Sequence, residues 1–228
     1  MKKNQKHVLL VIIFLIAIFI IAAITIIRAR RTPERLILRI EDVSSDDWFY
    51  RYVLAGLRFG LIDVGRDNYH FEPDRYVTQG EFITMLGRLH EFGHGTIRRQ
   101  PGGERSERYV DWALERGIIC YDDYWVMMPY AFITREQMAV IVYRYINAFE
   151  LHDYFQSEYV ILIMLNFMDL NRVSQWAREP VEWLRQKFVI SSDEMWYFRP
   201  LESATHAEML QIIVRVGSAT YDLIHPLW

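Results

Sequence analysis

Cysteine is all but missing from these 228 residues: Cys120 stands alone, so no disulfide can form within the chain. It lies in the apolar run Gly117-Ile118-Ile119-Cys120 and reads as a small buried residue. Lysine is nearly as scarce, since beyond residue 6 the only one is Lys187 and every other permanent cation is Arg. Arg suits planar two-point pairing with carboxylate or phosphate better than Lys does. There is no glycine-rich phosphate loop, no G-x-S-x-G and no Rossmann fingerprint. These absences argue for binding over catalysis and imply no cofactor. Basic charge is also short where it would matter for nucleic acid. Residues 1–35 hold seven Lys/Arg and one Glu, which leaves 19 basic against 28 acidic residues in the rest, a charge near −9. That field repels nucleic acid, so an anionic ligand would need a local basic pocket.

What the chain has in abundance is apolar residues, 52% with 15% aromatic, enough to rule out disorder and to build one or two cores. Val8 to Ile27 is interrupted only by Thr25 and is long enough, at roughly 30 Å as a helix, to cross a bilayer. Residues 1–7 look like a secretory n-region. The apolar stretch is too long for an ordinary signal peptide and lacks a small-x-small cleavage site, which predicts an uncleaved transmembrane signal anchor over 8–27 and a linker over 28–39. Lys2, Lys3 and Lys6 are balanced by Arg28, Arg30 and Arg31, so flanking charge does not set the orientation.

Three segments share one pattern: Pro73 with Val77-Thr78-Gln79-Gly80-Glu81-Phe82, Pro129 with Ile133-Thr134-Arg135-Glu136-Gln137-Met138, and Pro200 with Ala204-Thr205-His206-Ala207-Glu208-Met209. In each, proline stands five residues before threonine, Glu or Gln three after it, and Arg88, Arg144 or Arg215 ten after it. A threonine N-cap with Glu or Gln at the third helical position is a capping box. The flanking pairs Val77 with Phe82, Ile133 with Met138 and Ala204 with Met209 are placed to staple each helix start. Three unrelated capped helices would explain the Thr and Glu but not the shared Pro and Arg. Upstream, Asp42-Val43, Trp48, Val53, Leu57 and Gly60-Leu61 spell a helix ended by glycine. Asp169-Leu170, Trp176, Val181 and Leu184 repeat it, with Phe188 where glycine is expected. Copy two keeps Val110, Leu114 and Gly117-Ile118, with Arg105 in place of Trp. Residues 98–103 read as a loop and 145–166 as a helical apolar connection.

The order Asp-Val, Trp, Gly-Leu, Phe-x-Pro and Thr-Arg-Ala-Glu resembles the S-layer homology (SLH) repeat, across residues 40–217. The resemblance implies an all-α, pseudo-threefold array of three SLH-like helical repeats, at 40–95, 104–148 and 167–217, behind the transmembrane helix. It also implies a cell membrane protein whose C-terminal domain faces the wall and attaches to cell-wall polysaccharide, often carrying ketal-linked pyruvate. The family's groove arginine falls on Arg135, with Gln79 and His206 in the matching places; of these two, His206 becomes cationic near pH 6.5 in its ordinary range. Trp48 and Trp176 match the family's tryptophan and are the candidates for stacking on sugar rings. The uneven grooves raise a second reading, a degenerate scaffold for an envelope protein partner. A third is a zinc metalloprotease. His90-Glu91-Phe92-Gly93-His94 fits H-E-x-x-H, but Gly93 and Gly95 are expected to end the helix there, and no third ligand follows at the required place.

Overall fold

The computed structural model describes residues 36–37, 40–62, 69–97, 107–120, 127–155 and 167–221, with Ile16 and Ile20 singly. The expected anchor at 8–27 lies, but for those two isoleucines, outside the described residues, as do the loop at 98–103 and residues 156–166 of the connection expected over 145–166. Among the described residues no helix is long and apolar enough to cross a membrane.

The described chain is helical, without paired strands. Six α-helices alternate short and long: α1 (Tyr50–Arg58), α2 (Gln79–His94), α3 (Glu107–Glu115), α4 (Arg135–Ala148), α5 (Arg178–Gln186) and α6 (His206–Tyr221). The capping boxes place the three long ones. Thr78 Oγ1 accepts from Glu81 N while the Glu81 carboxylate accepts from Thr78 N, and Thr134 with Gln137 and Thr205 with Glu208 do the same. The staple residues Val77, Phe82, Ile133, Met138, Ala204 and Met209 are all buried. Each cap joins its neighbours through extended backbone. Val77 N donates to Ala204 O, Ala204 N to Ile133 O, and Ile133 N to Val77 O, at 3.0, 2.9 and 3.0 Å. These three bonds close a ring of residues that are wholly buried. Each short helix then packs on the long helix of the copy before it: α3 on α2, α5 on α4, and α1 on α6.

The upstream helices end alike for one backbone reason. Gly60 and Gly117 both sit at φ 65°, and Phe188 takes the same left-handed place at φ 57° although it carries a side chain. The following N–H groups fold back onto the helix, Leu61 N to Gly56 O, Ile118 N to Ala113 O and Val189 N to Leu184 O, as the glycine-ended helix stop requires. The repeated arginine closes this turn from above. Arg88 Nη1 donates to Leu61 O and Arg215 Nη1 to Val189 O, at 3.3 and 3.4 Å.

The Asp of the Asp42-Val43 pair, and of its counterpart Asp169-Leu170, holds the Phe-x-Pro turn. Asp42 accepts from Phe71 N and Glu72 N, both at 2.7 Å, and Asp169 accepts from Phe198 N and Arg199 N at 2.8 and 2.7 Å. The clamped residues Glu72 and Arg199 sit at φ 54° and 56°, a conformation costly for a non-glycine residue unless its surroundings fix it.

Two expectations need correcting. The connection from residue 145 is not one helix: α4 stops at Ala148, Glu150 turns left-handed at φ 54°, and Leu151–Phe155 is a 3-10 turn. Cys120 is half-buried, not buried.

Candidate functional site

Gln79, Arg135 and His206 are the first residues of α2, α4 and α6. Each is buried, at 3%, 7% and 8% exposure, and each reaches the proline turn of a neighbouring copy. Arg135 Nε donates to Phe198 O, its Nη2 donates to Ser191 O at 3.1 Å, and its Nη1 is ion-paired with Glu208. Its guanidinium lies 5.1 Å from the centre of the Phe198 ring. Glu208 also meets Arg199 at 3.3 Å. An arginine facing the groove, ready for a ligand carboxylate, is the expectation at this position; in the structure Glu208 supplies the carboxylate. Glu136 beside it is buried too, accepting from Ser174 N and Oγ at 2.9 and 2.8 Å.

His206 places Nδ1 2.7 Å from Phe71 O and stacks on the Phe71 ring at 4.4 Å. A carbonyl only accepts, so Nδ1 carries the proton and donates. Burial pushes the His206 pKa below the usual histidine range, helped by Arg75 and opposed by the bond to Phe71 and by Glu81 and Glu72. Against the expectation of a cation near pH 6.5, His206 takes up a proton less readily than an ordinary histidine. Gln79 works with opposite polarity, its Oε1 accepting from Met128 N at 3.1 Å.

The two tryptophans part company. Trp48 is 54% exposed, standing edge-on to Phe49 and Tyr52, whereas Trp176 is half-buried against the core.

The open space lies elsewhere, in a groove of about 1000 Å³ between copies one and two. Tyr69, Arg75, Glu81, Thr84, Arg88 and Tyr130 line it, together with His206 and Met209. Arg75 pairs with Glu81 at 2.9 Å, Arg88 is exposed, and Tyr130 is 89% exposed. Exposed guanidinium groups, a hydroxyl and a bare aromatic ring are the groups that hold a charged sugar. Gly80 also lines the groove, where the other copies have Glu136 and Ala207. A Cβ there would lie 2.9 Å from Pro129 O.

The H-E-x-x-H segment departs from expectation. α2 runs through Gly93 to His94, and Gly95 stops it at φ 85°. A Cβ at Gly93 would stand 2.1 Å from the Tyr221 ring, so the glycine makes room for α6 instead of ending α2. His90 and His94 stack at 4.4 Å with rings 7° from parallel. Burial, then His94 and Arg116, lower the His90 pKa to about 4. Glu91, the general base of a protease reading, is otherwise engaged: its carboxylate accepts from Ile97 N at 2.9 Å, from Tyr109 Oη at 2.9 Å and from Arg108 at 3.2 Å. Among the described residues no group of three His, Cys, Asp or Glu is placed to hold a metal.

Against known proteins, residues 39–83 match the S-layer homology domain family. The chain is 29% identical over 172 residues to an amylopullulanase of Thermoanaerobacterium thermosulfurigenes, covering 74% of this chain and 9% of that protein. It is also 29% identical over 172 residues to exoglucanase XynX of Acetivibrio thermocellus, covering 74% of this chain and 15% of that protein. The chain thus spans only a small fraction of either relative's length. The Asp42 clamp, the Gly60 stop and the Thr78 cap of copy one fall within the residues, 39–83, that match the S-layer homology domain family.

Proposed function

We propose that this chain is a non-catalytic attachment protein of the cell envelope, in which three degenerate S-layer homology repeats form a pseudo-threefold array that holds a cell-wall polysaccharide. The observation that carries the reading is the groove of about 1000 Å³ that opens beside the family-matched segment and is lined by Arg75, Arg88 and Tyr130. The segment at 8–27 is the proposed membrane anchor, with the repeats outside, facing the wall. An acidic sugar, of which a pyruvylated one is the expected example, would set its carboxylate against Arg88 and a ring face on Tyr130. Trp48 offers a second exposed ring. Arg135 would take part only by exchanging Glu208 for the ligand, and Gln79 and His206 serve as clamps that shape the groove walls.

The test is co-sedimentation of the full chain, held in mild detergent, with purified wall material before and after removal of its acidic polymer. Binding should disappear with the polymer and fall at least tenfold in Arg88→Ala. Binding that ignores polymer removal sinks the polysaccharide reading. One observation favours a protein partner as the second reading: Met195 and Trp196 are exposed on a turn held by Asp193, and Met168, also exposed, lies on the segment joined to that turn by the bond from Met168 N to Trp196 O.

A further inference from the structure

The three cap segments that close the buried ring also carry antiparallel bridges, Tyr76 to Thr205, Thr78 to Phe132 and Thr134 to Ser203. Side chains alternate between the two faces of such extended backbone. Val77, Ile133 and Ala204 are wholly buried, so the residues just before them, Tyr76, Phe132 and Ser203, fall on the outer face. Copy three keeps that position small and polar. Copies one and two place aromatic rings there, 51% and 57% exposed. The two rings meet edge to face with centres 5.7 Å apart. Such a contact covers one face of one ring and leaves the others open.

This pair stands at the rim of the groove described above. On the first segment Arg75 and Thr78, which flank Tyr76-Val77, line the groove; on the second Pro129 and Tyr130 line it, and Phe132 is bridged to Thr78. Groove-lining residues therefore border the pair on both segments, while the rings themselves lie outside the lining. Both rings belong to the copies between which the groove opens. Core packing does not account for them. The joint is made by the three backbone bonds of the ring and by the buried Val77, Ile133 and Ala204, and two rings so exposed add little to it. Grouped apolar exposure of this kind marks a contact surface.

Charge distinguishes the rim from the groove. Arg75, next to Tyr76, is held by Glu81 at 2.9 Å and by Glu72 at 3.3 Å. What the rim offers is ring faces and the Tyr76 hydroxyl. The cation for an acidic substituent lies inside the groove, at Arg88.

We propose that Tyr76 and Phe132 form a second subsite, at the rim of the groove, which stacks an uncharged sugar unit adjoining the acidic unit held by Arg88 and Tyr130. The proposal rests on the polysaccharide reading and adds that the ligand is held as a run of units rather than as a single sugar. The C–H face of a pyranose ring lies against an aromatic face and removes apolar surface of both from water. Its hydroxyls stay in solvent or meet Tyr76 Oη. The two rings already rest on each other, so ordering them for the ligand costs little. Affinity then grows with ligand length until the rim is covered.

The test is calorimetric titration of the full chain, held in mild detergent, with oligosaccharides released from purified wall polymer by partial hydrolysis and separated by length. The parent should bind longer fractions about tenfold more tightly than the shortest fraction that binds. Tyr76→Ala and Phe132→Ala should lose most of that gain and still bind the shortest fraction as the parent does, whereas Arg88→Ala should weaken binding at every length. Tyr76→Phe and Phe132→Tyr, which keep both rings, should keep the gain. Equal affinity for all fractions, or a length gain unchanged in both alanine variants, overturns the rim subsite and leaves the groove standing. A loss of equal size at every length assigns the rings to the groove's own site and overturns it too. Binding of no fraction overturns the polysaccharide reading and the subsite with it.

Discussion

The joint between copies two and three and the joint between copies one and two are built on the same turn, yet they are clamped with opposite polarity. In copies one and three an aspartate, Asp42 or Asp169, already accepts from the N–H groups of the Phe-x-Pro turn. What remains unsatisfied is the turn's carbonyl, and the neighbouring helix start sends a donor to it: His206 to Phe71 O, Arg135 to Phe198 O. In copy two the N–H of Met128, the residue before Pro129, goes instead to an acceptor on the neighbouring helix, Gln79 Oε1. The residue that opens each long helix is thus matched to what the facing turn lacks. A family-style arginine at 79 would bring a donor to a donor.

The largest break of this comparison should come from Arg135→Ala. It removes the more buried of the two arginines paired with Glu208, whose side chain is 13% exposed, and strips Phe198 O and Ser191 O of a donor. Loss of one member of a buried ion pair costs about 3–5 kcal/mol, and urea denaturation should show a loss of that order. Gln79→Ala, which removes a single neutral bond, should cost only about 1 kcal/mol.

A sharper test is Gln79→Arg, which restores the family's residue. By sequence alone it should be harmless or improve ligand binding. The structure predicts the reverse, a destabilisation of about 1 kcal/mol from leaving Met128 N without its acceptor in a part-buried joint. Equal or greater stability of this variant would undo the polarity argument.

The third joint carries a proton dependence. The His206 pKa is lowered in the folded state by burial, so the unfolded chain binds the proton more readily. Its contribution is complete above the unfolded value near 6.5 and is lost as pH falls from there toward the folded value. Stability should therefore decline on acidification below about pH 6.5, by at most about 1.4 kcal/mol per pH unit for this group. His206→Gln should flatten that part of the melting-temperature profile; a profile of unchanged slope would assign it to other groups.

The caps, staples and glycine stops were legible because they are local: Thr78 and Glu81, or Gly117 and Ile118, act within a few residues of one another. The resemblance located Gln79, Arg135 and His206 as equivalent positions, but not what faces them. Glu208 lies 73 residues from Arg135 and reads as a capping residue, which it also is. Nothing in its spacing says that one carboxylate both caps its own helix and neutralises the preceding copy's arginine. Gly93 misled for a related reason. Glycine ends a helix when φ must be positive, and admits a close neighbour when a side chain would collide. Only the Tyr221 ring, 128 residues away, shows that the second applies. The groove is not legible in local spacing, because its walls bring together residues of all three copies, Arg88, Tyr130 and His206 among them.

Phe188 offers the smallest effect and compares all three copies at one backbone position. Gly60 and Gly117 take φ 65° without steric cost, whereas Phe188 is held at φ 57° with a Cβ. A left-handed non-glycine residue costs about 1–2 kcal/mol. Phe188 is 46% exposed, so removing its ring forfeits only part of the burial a core phenylalanine would contribute. Glycine also raises the entropy of the unfolded chain, by about 0.4–1 kcal/mol. These terms nearly cancel, and Phe188→Gly should leave stability within about 1 kcal/mol of the parent. The reciprocal change, Gly117→Phe, imports the strain without a packing environment shaped for the ring, and should destabilise by about 1–2 kcal/mol. If both substitutions prove equally damaging, then copy three has repacked around Phe188, and the left-handed stop is set there by the ring's contacts rather than tolerated despite them.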